Sequence, residues 1–292
     1  MSTATKNMGG IYRFSKKTRV ITGRTIAYIV LISFSIICVI PFIWMVSTSL
    51  KPPGAVFVQP PQWIPERFYW INYYSAFTIV PFMRFFRNTM IIVVFSLLGS
   101  LISTSLTAYG FARIRFKGRE ILFGILLSTM MIPWEVIVVP LYVQYNWMGW
   151  IDTFLPFIIP SFFGIHAFSI FLLRQYLMTI PYDLDEAALL DGCSRLGILL
   201  KILIPIAKPA LVTVSIFHIV FSWNDFMGPL IFLNRMDNFT LTLGLNLFRN
   251  SFLTEWDHLM AAATFVTIVP LIIFFIGQKQ LIGGIATSGL KG

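Results

Sequence analysis

Read from the N-terminus, the chain alternates between long apolar runs and short polar ones. Thr25 to Leu50, Asn88 to Ala112, Thr153 to Leu173 and Leu259 to Gln278 carry no charged residue. Ile121 to Tyr142 and Pro209 to Asn234 carry one acid each, Glu135 and Asp225. About 20 apolar residues rising ~1.5 Å each in a helix cross a hydrocarbon core of ~30 Å. The pattern therefore predicts six membrane-spanning helices. The segment 51–87 is rich in proline and aromatic residues, and reads as a structured stretch at the interface, where Trp and Tyr rings prefer to sit.

One polar interruption, DLDEAALLDGCSRLGILLKILIP at 183–205, has internal order. Asp183 is placed to cap a first helical turn while Glu186, three residues on, reaches back in a capping box, and both acids favour the positive end of the helix dipole. Gly192 is placed to stop that helix. Ser194 can cap a second helix through Leu196 to Ile204, with Pro205 and Pro209 marking a bend into the next span. Leu184, Ala187 and Ala188 are expected on one face. Such a face lets a groove of another protein approach closely, and residue chemistry alone leaves open a capped loop helix lying on the membrane.

Composition agrees with a membrane protein: 57% of residues are hydrophobic and 12% charged, against roughly 25% charged in soluble domains. The net charge of +10 is explained by topology. With the N-terminus inside, 16 of the 22 Lys and Arg residues fall in the tail, in the segments around 113–119 and 174–208, and after the last span, as the positive-inside rule requires. Little basic surface is left for nucleic acid. The first apolar run is far longer than a signal-peptide core and reads as a retained span. Cys38 and Cys193 do not form a disulfide framework, and His166, His218 and His258 match no metal-ligand spacing. The histidines read as hydrogen-bonding partners between helices, and Met130 and Met131 as core packing beside Trp134.

Glu186, Ala187, Ala188, Gly192, Ile202 and Pro205 reproduce the E-A-A, three residues, G, nine residues, I-x-L-P signature, with Ile204 where Leu is usual. On this the chain resembles permease subunits of bacterial ATP-binding cassette importers. SIFLLRQYLMTIP at 169–181, SWNDF at 222–226 with Pro229, and the closing GGIATSGLKG extend the resemblance to the carbohydrate-uptake branch, the MalG-like member of a MalF-like/MalG-like pair. The resemblance implies an all-α polytopic fold with six transmembrane helices and cytoplasmic coupling helices. It implies that Asp183, Glu186, Ala187, Ala188, Asp191, Gly192, Ile202 and Pro205 couple the chain to an ATPase, and that Ser288, Lys291 and Gly292 are a further ATPase contact.

The chain would divide into a cytoplasmic basic tail at 1–24, a six-span domain at 25–282 with its coupling loop at 181–205, and a cytoplasmic tail at 283–292. It would sit in the bacterial inner membrane with both termini cytoplasmic. Partners would be a second, MalF-like permease, an ATPase dimer, an extracytoplasmic solute-binding protein and the bilayer. No phosphate loop occurs in the sequence, so ATP and Mg are expected on the partner ATPase, with no cofactor, metal or catalytic group in this chain. An acid within the bilayer usually faces a cavity or a partner. Glu135 therefore reads either as a wall of a solute path or as a carboxyl bonded to a freed backbone group. Trp223, Asn224 and Asp225 read as a sugar-binding trio, indole face and polar groups together, or as packing of a Gly-Pro-bent helix. The solute is expected to be a sugar, an oligosaccharide in particular, moved by alternating access. An ion-coupled secondary transporter is the alternative, though it would need internal repeats and a buried relay.

Overall fold

The computed structural model describes residues 16–249 and 255–289. The fold is all-α. Its helices are α1 (Lys16–Ser49), α2 (Ile71–Ile79), α3 (Phe82–Arg113), α4 (Arg119–Ser128), α5 (Trp134–Trp147), α6 (Leu155–Ile158) and α7 (Ala167–Thr179). They continue as α8 (Asp183–Leu190), α9 (Arg195–Ile198), α10 (Ile204–Ile206), α11 (Lys208–Trp223), α12 (Met227–Phe232), α13 (Leu241–Leu245) and α14 (Trp256–Gly289). Four stretches are long and apolar enough to cross a membrane, Val20–Ser49, Phe82–Arg113, Leu155–Thr179 and Trp256–Gln280. Two bent pairs bring the number to six when each pair is one span.

The predicted third span is not one straight helix. Its halves, Arg119–Met131 and Trp134–Trp147, meet at 97°. Pro133 is the cause: its ring crowds the preceding residue out of the helical region, so Ile132 takes ψ 117 and Pro133 itself ψ 140, both extended. Met130 and Met131 stand at this break and are exposed rather than packed in a core, which corrects the sequence expectation for both.

The central post is α3. Half of its most apolar window is buried, whereas none of that of α1 is. The buried face of α3 is built from small side chains: Ser96, Gly99, Ser100, Ser103, Thr104, Ser105, Ala108 and Ala112. Small residues let helix backbones approach closely where no water drives the association. A Cβ on Gly99 would fall 2.5 Å from the Phe162 ring, and Ser103 donates to the Ser161 carbonyl at 2.7 Å.

Two cores lie toward opposite ends of α3. The first gathers Phe82, Phe85, Val93, Trp223, Leu241 and Phe248. The other gathers Ala108, Tyr109, Ala112, Leu173 and Leu177 with Ala188, Ile198, Leu199 and Leu203, so the 183–205 segment is packed into the base of the bundle.

Polar ties hold the loops at the first end. Asn72 donates to the Ser49 and Lys51 carbonyls at 2.9 and 2.8 Å, closing the C-terminus of α1. Lys51 lies buried with its Nζ 3.9 Å from the Trp44 ring centre, and burial pushes its ammonium below the usual lysine value. Asn88 donates to the Asp237 and Phe239 carbonyls, and Arg84 pairs with Asp237.

Asp152 gathers the loop after α12. Its carboxylate accepts the N–H groups of Asn234 at 3.0 Å and Arg235 at 2.9 Å, and the Asn238 amide at 3.2 Å. Burial alone would raise this carboxyl, but those bonds and the Arg235 charge outweigh it and hold its pKa below the ordinary value. A depressed carboxyl stabilises the fold above its unfolded pKa, near 3.9, and the gain is lost as pH falls through the folded value. Asp152→Ala should thus cost about 1–3 kcal/mol. In thermal unfolding of the detergent-solubilised protein, the gap from wild type should be the same at pH 7 and pH 5. A gap that has already closed by pH 5 contradicts the assignment.

Candidate functional site

The helix–turn–helix expected at 183–205 is present, with its start shifted. Tyr182 adopts helical φ and ψ, and its carbonyl accepts the N–H groups of Asp185 and Glu186 at 2.9 and 3.1 Å. Asp183 is therefore the first residue inside α8 rather than its cap, and no side-chain capping bond or capping box forms. The reason is local, since Tyr182, directly after Pro181, takes the N-cap position and the helix begins one residue earlier than the Asp183 signal suggested. Asp183, Asp185 and Glu186 still occupy the first turn, where the helix dipole favours them.

The exit from α8 follows expectation. Gly192 takes φ +78, a left-handed conformation costly for other residues. Its N–H donates to the Leu189 carbonyl and that of Cys193 to the Ala188 carbonyl, at 3.0 and 2.9 Å, the paired bonds of a Schellman stop. Ser194 then caps α9, its Oγ accepting the Gly197 N–H at 3.1 Å. A widened π turn over Leu199–Leu203 leads into α10, and the chain bends by 81° into α11, at the position Pro205 and Pro209 marked.

The two alanines do not share a surface. Ala188 is 7% exposed and belongs to the core, while Ala187 is exposed together with Asp183, Leu184, Glu186 and Leu189. Leu190 is 90% exposed. Asp191 and Pro205 are exposed as well, and Ile202 is half-buried. The outward face of α8 is thus an acidic and leucine-rich surface around a single alanine, and its inward face is Asp185 and Ala188.

Asp185 was not singled out in the sequence, and neither was the residue it faces. Arg113, last residue of α3, is buried; its Nη2 donates to the Ile180 carbonyl at 2.8 Å and its Nε lies 3.6 Å from Asp185 Oδ2. The guanidinium lies 4.4 Å from the centre of the Tyr182 ring, whose hydroxyl donates to the Ala112 carbonyl at 2.7 Å. Burial pushes the Asp185 carboxyl above the usual range although the Arg113 charge pulls it back. Next to it, Arg174 reaches both carboxylate oxygens of Glu120 at 3.0 Å and the Phe111 carbonyl at 3.2 Å, stacked 4.0 Å from the Phe123 ring centre. In the sequence these arginines look like any positive-inside residue. Only the fold distinguishes the buried pair, Arg113 and Arg174, from exposed Arg115.

The expected solute-path trio does not converge. Trp223 is 1% exposed, packs edge-on against Phe86 and donates from Nε1 to the Val266 carbonyl at 3.1 Å, so its indole face is unavailable to a sugar. Asn224 is exposed and its amide returns to the Val220 carbonyl in its own helix. Asp225 accepts the Gly228 N–H at 3.0 Å, and its carbonyl accepts the Thr242 hydroxyl. This is the packing alternative for the Gly-Pro segment. Glu135 sits exposed in the first turn of α5, and among the described residues no hydrogen bond ties it to a freed backbone group.

His166 and His218, distant in sequence, are edge-to-face with ring centres 4.8 Å apart. They bond Ser161 at 3.3 Å and Ser96 at 2.9 Å respectively. His258 instead pairs with Glu255. Lys291 and Gly292 lie outside the described residues, as does the side chain of Ser288.

Residues 98–286 match the family of binding-protein-dependent transport system inner membrane components. The chain belongs to that family. It is 31% identical to the probable ABC transporter permease protein YurM of Bacillus subtilis (strain 168), over 92% of this chain and 89% of that one. It is 34% identical to the arabinooligosaccharides transport system permease protein AraQ of the same organism, over 72% and 74%. Among solved structures, a bacterial ABC transporter involved in the import of the acidic polysaccharide alginate aligns with a TM-score of 0.76 at 26% identity, covering 91% of this chain and 98% of that chain. A carbohydrate-uptake permease is therefore the supported family reading, and the ion-coupled carrier is not favoured.

For this permease, Trp223→Ala should act through packing. Removing a fully buried indole costs about 3–5 kcal/mol, so the expected result is a lower melting temperature and less protein in the membrane, with unchanged preference among transported solutes. A variant of full thermal stability with altered solute preference would restore the sugar-binding role.

Proposed function

We propose that this chain is the membrane-spanning subunit of an ATP-driven carbohydrate importer, with an oligosaccharide as solute and the 183–205 segment as its contact with a separate ATPase. The observation that carries the reading is the two-sidedness of α8. Its inward side is held by Asp185 and Ala188, and its outward side offers Asp183, Glu186, Ala187 and Leu190, all exposed among the described residues. An eight-residue helix fixed on one side and open on the other is a plug for a socket in another protein. Glu186 would meet a basic group there, Ala187 would allow close approach, and Leu184 and Leu190 would bury apolar surface. Asp191 and Gly192 shape the turn, and Ile202 and Pro205 seat the second helix.

Oligosaccharide as the solute is supported by the AraQ likeness and by the alginate importer's likeness. ATP and Mg belong to the ATPase in this reading, and nucleotide-driven movement of α8 would rock the spans between inward-open and outward-open states. A second permease, a pair of ATPase subunits and an external binding protein complete the assembly, with both termini of this chain cytoplasmic. Residues 1–24 and 283–292 would be cytoplasmic tails around a 25–282 permease domain, with Ser288, Lys291 and Gly292 a second ATPase contact.

Glu186→Lys tests the docking role. The variant should remain in the membrane at wild-type level, lose co-purification with the ATPase subunit and abolish uptake of labelled oligosaccharides in cells. Uptake at the wild-type rate with the ATPase still bound would refute it.

A further inference from the structure

We infer that Arg113, held between Asp185 and Tyr182, is the positioning residue that makes α8 and α3 move as one body, so that displacement of α8 reaches the central post of the bundle. The inference rests on the reading of α8 as an ATPase contact.

A helix of eight residues has little stiffness of its own relative to its neighbours, and α8 is bounded by Pro181 and by the left-handed Gly192. A push on its outer face would roll it about these two points unless its inner face were tied. Ala188 contributes packing alone. Among the described residues the directional ties run to the last two residues of α3. Arg113 donates to Ile180 on one side and faces Asp185 on the other, while the Tyr182 hydroxyl closes onto the Ala112 carbonyl. Three points around the first turn of α8 thus bear on one turn of α3. Arg113 is suited to this by its fork, which reaches a carbonyl and a carboxylate at once while its plane stacks on a ring. As the last residue of its helix it also faces the negative end of the α3 dipole.

The pair is slack in this structure. At 3.6 Å the Arg113–Asp185 contact is an ion pair without a hydrogen bond, and Arg113 Nε and Nη1 and Asp185 Oδ1 have no hydrogen-bond partner among the described residues. Buried charged groups rarely stay unbonded. The free donors and acceptor let the joint tighten under a first small push on α8, after which α8 and α3 travel together.

The test follows nucleotide-dependent hydrogen exchange in the intact complex of this chain with its partner permease, ATPase and binding protein. The probe is the Mg complex of a non-hydrolysable ATP analogue. In wild type, nucleotide should change exchange both in α8 and over residues 109–113. In Arg113→Gln and in Asp185→Asn the α8 change should persist while the change at 109–113 falls by about twofold or more. Arg113→Lys, which keeps the charge and loses the fork, should fall between them. Tyr182→Phe removes a single oxygen and keeps the fold testable should the charge variants assemble poorly; it should weaken the response at 109–113 in the same direction. A response there as large in these variants as in wild type overturns the inference. Failure of the wild-type complex to retain the ATPase, or of α8 to respond at all, overturns instead the docking reading and the inference with it.

Discussion

The close approach of other helices to α3 is the constraint from which the rest of the arrangement follows. In a bilayer, apolar side chains gain little by leaving lipid for protein, so helices associate where shape and hydrogen bonds allow backbones to come near. The face of α3 that runs through Ser96, Gly99, Ser103, Ala108 and Ala112 provides that surface. Against it lie the 159–163 turn, α7 and α11, joined by the Ser103–Ser161 and Ser96–His218 bonds. By contrast α1 is apolar all round and exposed over most of its length. Of its described residues only the end, Ser47 to Leu50, is buried, where the polar ties of the loops begin.

Because α3 is fixed on so many sides, its ends become reference points. One end anchors the loops through Asn88 and Thr89, which bond residues 237–241. The other end presents Ala112 and Arg113 to the segment carrying α8. The placement of charge follows the same logic. A buried guanidinium is tolerated at the membrane boundary when a carbonyl and a carboxylate share it, and Arg113 and Arg174 both meet that requirement.

The all-α apolar pattern and the helix–turn–helix were legible in the sequence because both rest on local rules, apolar length for the first and Gly, Ser and Pro positions for the second. Where local rules compete, the reading failed. Proline is one such case. Pro41, Pro140 and Pro270 are each carried inside a helix, yet Pro133 opens a 97° break. Which proline stays inside a helix and which stands at a break is not recorded in any local pattern. Asp183 failed as a cap for a related reason, since Tyr182 turned out helical although the residue types favoured Asp183. The meeting of Arg113 with Asp185, and of His166 with His218, depends on pairings between distant segments, and nothing in the residue order announces them.

The same limit explains why Trp223 misled. A Trp beside Asn and Asp offers the chemistry a sugar site needs, and the sequence cannot tell whether the ring faces a cavity or a neighbouring helix. Here α14 supplies Ala261 and Ala262, both fully buried, and the Val266 carbonyl. Small side chains on α14 leave room for an indole at the contact, and one carbonyl satisfies its N–H. Once the ring is used this way, Asn224 and Asp225 follow at the end of α11, where they bond their own backbone or the start of α12. A solute site for this permease must then be sought on surfaces the bundle leaves open. The exposed break at Ile132–Pro133, with Glu135 in the turn that follows, has the irregular backbone that membrane proteins tolerate where it lines a cavity or meets another subunit.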